Sequence, residues 1–181
     1  MKFYLITLLL ISTNIFSEYK NTSGNALNKS FSDMVKWIRA ENNTVVSAIE
    51  LSSEWKNINL TEDDNYTIWI GHSTFLIKTD GVTILTDPIF SDRASPFSSI
   101  GPKRLIPPSM NISDLPNIDF VTVSHNHYDH LDIPTLKKLS KLNPNTVFLI
   151  PAGDLNLLKR KGIKNAFEFK WWESFNDKGF T

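Results

Sequence analysis

The stretch "SHNHYDHLD", residues 124–132, holds three of the chain's four histidines and two of its aspartates. It follows the apolar run "IDFVTVS", residues 118–124, which reads as a buried strand. Side chains two apart in an extended segment point the same way. His125 and His127 therefore reach one ion just beyond the strand end. Zinc takes imidazole nitrogen at about 2.0–2.1 Å, so two such histidines form half of a tetrahedral site. Asp129 continues the alternation, and His130 is offset where the chain turns towards a helix. An adjacent Asp–His pair in that position suits a second ion. Two ions roughly 3.5–4 Å apart can clamp the oxygens of a phosphoryl or carbonyl group. A lone loop histidine is usually only solvated; H-x-H-x-D-H between a buried strand and a capped helix reads as a metal site.

Downstream, Asp132 caps a helix with Pro134 in its first turn, and Leu136, Leu139 and Leu142 supply its apolar face. "TVFLIP", residues 146–151, is a further buried strand. "DLNLLKRKG", residues 154–162, is a short helix with a basic last turn. "NAFEFKWWESF", residues 165–175, reads as one more strand. Strands alternating with helices give an α/β class. Upstream, "YTIWI", "TFLIK" and "VTILTDP" form a strand meander, with Asp80–Gly81 as a two-residue hairpin turn. Residues 89–116 then carry five prolines and few regular signals. A connection that long inside a compact domain is usually functional or disordered. Lys103 and Arg104 within it read as a solvated pair rather than a phosphate site.

Residues 1–17 place one lysine before an apolar run from Phe3 to Ile11 and a polar end, the layout of a secretory signal peptide. The expectation is export to a periplasmic or extracellular space, with an uncleaved membrane anchor as the alternative. Residues 18–65 form an N-terminal extension. Within it Phe31, Met34, Val35 and Ile38 mark an amphipathic helix, and Trp55 is a packing anchor. Residues 66–181 form the remaining domain. The absence of cysteine excludes disulfides, thiolate metal sites and a cysteine nucleophile. With 19 basic and 19 acidic residues, no global field draws the chain to nucleic acid.

"HNHYDH" resembles the metal-binding motif of the metallo-β-lactamase superfamily. "WIGHSTFLIKTDGVTILTDPIFSDRASPFSSIGPKRL", residues 69–105, together with "WWE", residues 171–173, is similar to its N-acylphosphatidylethanolamine-hydrolysing phospholipase D branch. The resemblance implies an αββα sandwich with a two-zinc site at one edge. His125 and His127 would ligate the first ion, and Asp129 and His130 the second. Asp129 would also orient the attacking hydroxide. Asp87 would brace a ligand histidine, His72 would line the site, and Tyr128 would contact lipid substrate. The implied reaction is hydrolysis of a phospholipid phosphodiester, with contact to a membrane surface. Neighbouring branches hydrolyse lactones and cyclic phosphates. The family's further histidines and bridging aspartate belong to the second half of the sandwich, and this chain has no histidine after His130. The expectation is thus the first half of the fold: a partial sequence, an interrupted gene, or a split chain with a complementing C-terminal half. A non-catalytic remnant is the rival reading.

Overall fold

The computed structural model describes Ser30, Ser32, Asp33, Lys36 and residues 51–62, 65–99 and 101–176. The chain divides into two compact units, Met1–Val45 and Val46–Thr181. In the first, Ser32, Asp33 and Lys36 are helical. Ser30 and Asp33 cap one another reciprocally, each side chain accepting from the other's backbone N–H at 3.2 and 3.0 Å. The signal-like residues 1–17 and the stripe Phe31, Met34, Val35 and Ile38 lie outside the described residues.

In the second unit a turn of 3₁₀ helix, Glu54–Asn57, precedes six strands. These are β1 (Tyr66–Gly71), β2 (Thr74–Thr79), β3 (Val82–Thr86), β4 (Phe120–Thr122), β5 (Val147–Pro151) and β6 (Ala166–Phe169). They form one sheet in sequence order. β1, β2 and β3 pair antiparallel, as a meander closed by tight turns must. β3 to β6 pair parallel, which requires crossovers. Helices α1 (Ile133–Leu142) and α2 (Leu155–Arg160) supply two of them, and residues 87–119 supply the third.

Alternation along the strands divides the sheet into two faces. One carries Ile68, Ile70, Leu76, Leu85, Val121, Phe148 and Ile150, and packs with Leu136, Leu139 and Leu158 of the helices into the core. The other carries Trp69, Phe75 and Phe167, which are 47%, 36% and 43% exposed. Leu142 departs from the expected helix face and is 53% exposed. Each residue advances about 100° around a helix, so six residues beyond Leu136 the side chain has turned off the core face.

The long crossover is stapled rather than loose. Met110, Ile112 and Ile118 enter the core. Trp55 anchors it as expected: its indole N–H donates to the Ser109 carbonyl at 3.0 Å. Arg104 corrects the expectation of a solvated pair. Its guanidinium is half-buried and donates to the carbonyls of Ile89 at 2.7 Å and Ser91 at 3.3 Å. Lys103 remains exposed. The buried Asp132 carboxylate fixes both the loop and α1. It accepts from the N–H groups of Phe90, Ser91 and Thr135 and from the hydroxyls of Ser91 and Thr135.

The last expected strand is also shorter than its sequence pattern. β6 ends at Phe169, and Trp172 adopts φ +71° in a turn closed by Lys170 and Glu173. Glu168, inside β6, has a second role. Its carboxylate accepts from the backbone N–H groups of Gly153 and Leu155, so it serves the N-terminus of α2.

Candidate metal centre

The sheet gathers the candidate residues at one edge. Asp87 follows β3 and Ser124 to His130 follow β4, so both come from the carboxyl ends of neighbouring parallel strands, where α/β sheets place ligand sites. His72 sits in the β1–β2 turn at φ +51°, and Asp87 at φ +37°. Aspartate tolerates this left-handed region better than most residues. Asp87 is held there by its N–H on the Thr122 carbonyl (2.8 Å) and its own carbonyl on the Thr74 hydroxyl (2.7 Å).

Asp87 is the hub of the cluster. One carboxylate oxygen accepts from the Ser124 N–H at 2.7 Å. The other accepts from the Ser124 hydroxyl at 2.8 Å and lies 2.8 Å from His130 Nδ1. A carboxylate has no proton to give, so His130 carries its proton on Nδ1 and presents the Nε2 lone pair. The Ser124 hydroxyl, having given its proton to Asp87, can only accept from His125 Nδ1, 2.9 Å away. His125 therefore also presents Nε2 as an acceptor. One aspartate thus sets the tautomers of two histidines, which is how metal ligands are oriented.

The exposed ends of these rings converge. His125 Nε2 lies 3.1 Å from His127 Nδ1. Asp129 Oδ2 lies 3.0 Å from His72 Nε2 and 3.6 Å from His130 Nε2. The ligand atoms of His72, Asp129 and His130 all fall within 4.8 Å of one another. Two ligands bound tetrahedrally at about 2.0–2.1 Å are about 3.3 Å apart, so these separations fit a divalent ion held by nitrogen and oxygen. The His125 and His130 rings, with centroids 4.0 Å apart, join the two groups.

Electrostatics agrees with that donor set. Burial lowers the His125 pKa, and the neighbouring His130 and His127 lower it further, so the ring favours its neutral, ligating form. At Asp129, burial acts to raise the pKa. Its own backbone N–H and the charges of His130 and His72 outweigh burial and hold the carboxyl below the usual range.

The structure brings His125, His127, Asp129, His130 and Asp87 together at this edge, and adds His72 to the group bearing Asp129 and His130. Tyr128 stands apart. With Asn126 it lines a groove to which none of the histidines contributes. Sequence reasoning missed Ser124, whose hydroxyl links Asp87 to His125. For His72 the resemblance implied only a site-lining role, and the structure sets its Nε2 3.0 Å from Asp129, 57 residues away.

Comparison with known proteins accords with this geometry. The profile of the beta-lactamase superfamily domain matches residues 67–175. An N-acyl-phosphatidylethanolamine-hydrolyzing phospholipase D 1 of Caenorhabditis elegans is 42% identical over 127 residues, covering 64% of this chain and 36% of that protein. An uncharacterized Mycobacterium tuberculosis protein is 49% identical over 108 residues, covering 59% and 29%. The mitochondrial N-acyl-phosphatidylethanolamine-hydrolyzing phospholipase D of Saccharomyces cerevisiae is 35% identical over 113 residues, covering 62% and 24%. The match thus spans about a third or less of the length of these relatives. A histidine–aspartate cluster at the carboxyl ends of β3 and β4, within a profile match that takes in most of the six-stranded unit, makes this chain a member of the beta-lactamase superfamily.

Proposed function

We propose that this chain provides a divalent-metal centre, taken by zinc, to a hydrolase that cleaves phosphodiesters of N-acylphosphatidylethanolamine-like phospholipids. The observation that carries this reading is the approach of His72, Asp129 and His130 to within 4.8 Å beside the His125–His127 pair. Support for the substrate class comes from the two relatives that bear that activity in their names. His125 and His127 would hold one ion, and Asp129 and His130, with His72 beside them, the other. Zinc, when bound, supplies Lewis acidity at the phosphoryl oxygen and makes hydroxide available near neutral pH.

The chain's own residues would prepare that chemistry. Asp87 keeps the His130 proton on Nδ1 and, through Ser124, the His125 proton on Nδ1. Asp129, ionised at neutral pH, accepts a hydrogen bond from the attacking water and fixes its direction. Tyr128 would contact the lipid near the ligand loop. Attack on phosphorus breaks its bond to the ethanolamine oxygen. The leaving oxygen takes up a proton, giving phosphatidic acid and an N-acylethanolamine. Residues 1–17 would direct export, a role checked by the N-terminus of the mature protein.

The test is zinc titration by calorimetry, followed by assay of both lipid products with the protein purified from its own cells. Two tightly held zinc ions and both products are expected. The double variant His125→Ala, His127→Ala should lose one of the two ions and all turnover. Zinc binding without either product would exclude the lipid substrate and turn attention to lactones or cyclic phosphates. A second reading, a non-catalytic half completed by a partner, is favoured by the exposed apolar face of the sheet. It predicts at most one weakly held ion in this chain alone.

A further inference from the structure

Beside the ligand loop lies a groove of about 720 Å³, bordered by α1, the end of α2 and the Ser95–Pro96 segment. Four lysines line it: Lys137, Lys138 and Lys141 from α1 and Lys161 just after α2. All four are exposed, and among the described residues none forms an ion pair. The one carboxylate in the lining, Asp132, is committed to capping α1 and holding Phe90 and Ser91. The lysines' charge is therefore not cancelled within the groove. Between them the surface is apolar, with Ile133 and Leu157 partly buried in the floor and Tyr128 at the end next to the metal ligands.

We infer that this groove binds one anionic phospholipid of a membrane surface: its phosphate against the lysines, its first methylenes on Ile133 and Leu157. Charge complementarity selects an anion, and the apolar floor selects one that carries a hydrocarbon chain. A polynucleotide would use the lysines but gain nothing from that floor. The chain's overall charge balance makes the groove a local feature rather than part of a general basic surface. Tyr128 links it to the metal loop, so a lipid held here would keep the metal centre at the bilayer interface where a lipid substrate resides. That purpose rests on the proposed function; the binding itself does not.

The experiment is co-sedimentation of the full chain with vesicles of phosphatidylcholine, and with vesicles of two parts phosphatidylcholine to one part phosphatidylglycerol. Each lysine near an anionic surface contributes about fivefold to partitioning. Lys137→Gln, Lys141→Gln, Lys161→Gln together should thus cut binding to the anionic vesicles by roughly a hundredfold. The equal-charge control Lys56→Gln, Lys103→Gln, Lys164→Gln, none of them in the groove lining, should cut it by no more than a few-fold. A phosphatidylglycerol bearing a photoreactive acyl chain should label the peptides containing Ile133 or Leu157. Equal loss in both triple variants would overturn the proposal in favour of diffuse charge. Equal binding to both vesicle types would overturn it in favour of insertion through the aromatic face. Label elsewhere, or binding of a ribo-oligonucleotide in place of vesicles, would also overturn it. Vesicle binding is read without turnover, so its failure and a failure of phosphodiester hydrolysis are separate results.

Discussion

Asp87 carries more of the metal centre than its position in the sequence suggests. It accepts three hydrogen bonds, and through them it decides which nitrogen of His130 and of His125 is free to ligate. In Asp87→Asn one acceptor becomes a donor, and either His130 or Ser124 loses its partner. Such changes beside metal ligands typically cost 10–100-fold in affinity. Zinc affinity of Asp87→Asn, measured by competition with a chelating dye, should fall by about that range. Ser124→Ala removes the hydroxyl bridge between Asp87 and His125 but leaves Asp87 on His130 and on the backbone N–H of residue 124, so its loss should be the smaller of the two. Wild-type affinity in both variants would show that the ligands orient themselves. At this scale the sequence is half legible. H-x-H-x-D-H reads as a metal motif because its candidate ligands are near neighbours. His72 does not, because it meets Asp129 only after β1, β2 and β3 have folded back on one another.

Among the elements, α1 depends on a single carboxylate. Asp132 is 4% exposed and accepts five hydrogen bonds, two from its own helix start and three from Phe90 and Ser91. Asp132→Ala loses a cap worth about 1 kcal/mol and strands buried donors at about 1–3 kcal/mol each. Urea unfolding should show a loss of about 3 kcal/mol or more, and a change under 1 kcal/mol would refute this account. Asp154, ahead of α2, works in the opposite sense. Burial raises its pKa, the nearby Glu168 adds to the rise, and the Asn126 amide offsets part of it. A carboxyl whose pKa is higher folded than unfolded holds its proton better in the native state. Stability is therefore greatest below the ordinary carboxylate value and declines as pH rises through the raised one. Asp154→Asn can still accept from Asn126 and carries no charge. Its melting temperature should exceed that of the wild type at neutral pH and converge with it in acid; an unchanged difference across pH would rule out the linkage. Elements were legible where periodicity and capping agreed, as in α1. They were not where a side chain serves a distant group. Arg104 looks like a surface cation but holds loop carbonyls, and Glu168 looks like a strand residue but caps α2.

For the whole molecule, the two faces of the sheet pose unequal problems. The face under α1 and α2 is closed. The opposite face leaves Trp69, Phe75 and Phe167 between 36% and 47% exposed, and Trp171 and Trp172 are more exposed still. In an αββα sandwich this is the face on which a second sheet packs, about 10 Å away. The alternation of "YTIWI" and "TFLIK" announced strands but not this asymmetry, because both faces of a sandwich strand are apolar. Exposed apolar surface of this kind drives association in water. The 181-residue chain, produced by itself, should therefore sediment as species larger than a monomer, with the proportion rising with concentration. Trp69→Gln with Phe75→Gln should shift it towards monomer. Because both side chains are already partly solvated, the cost in unfolding free energy should stay within about 1 kcal/mol. The Trp69 indole N–H donates to the His72 carbonyl at 2.9 Å, so zinc affinity is compared in Phe75→Gln alone, where it should hold. If the wild type is monomeric at every concentration and binds no apolar dye, another part of the molecule covers this face. Protection of Trp69 and Trp171 from collisional quenching would then locate the cover.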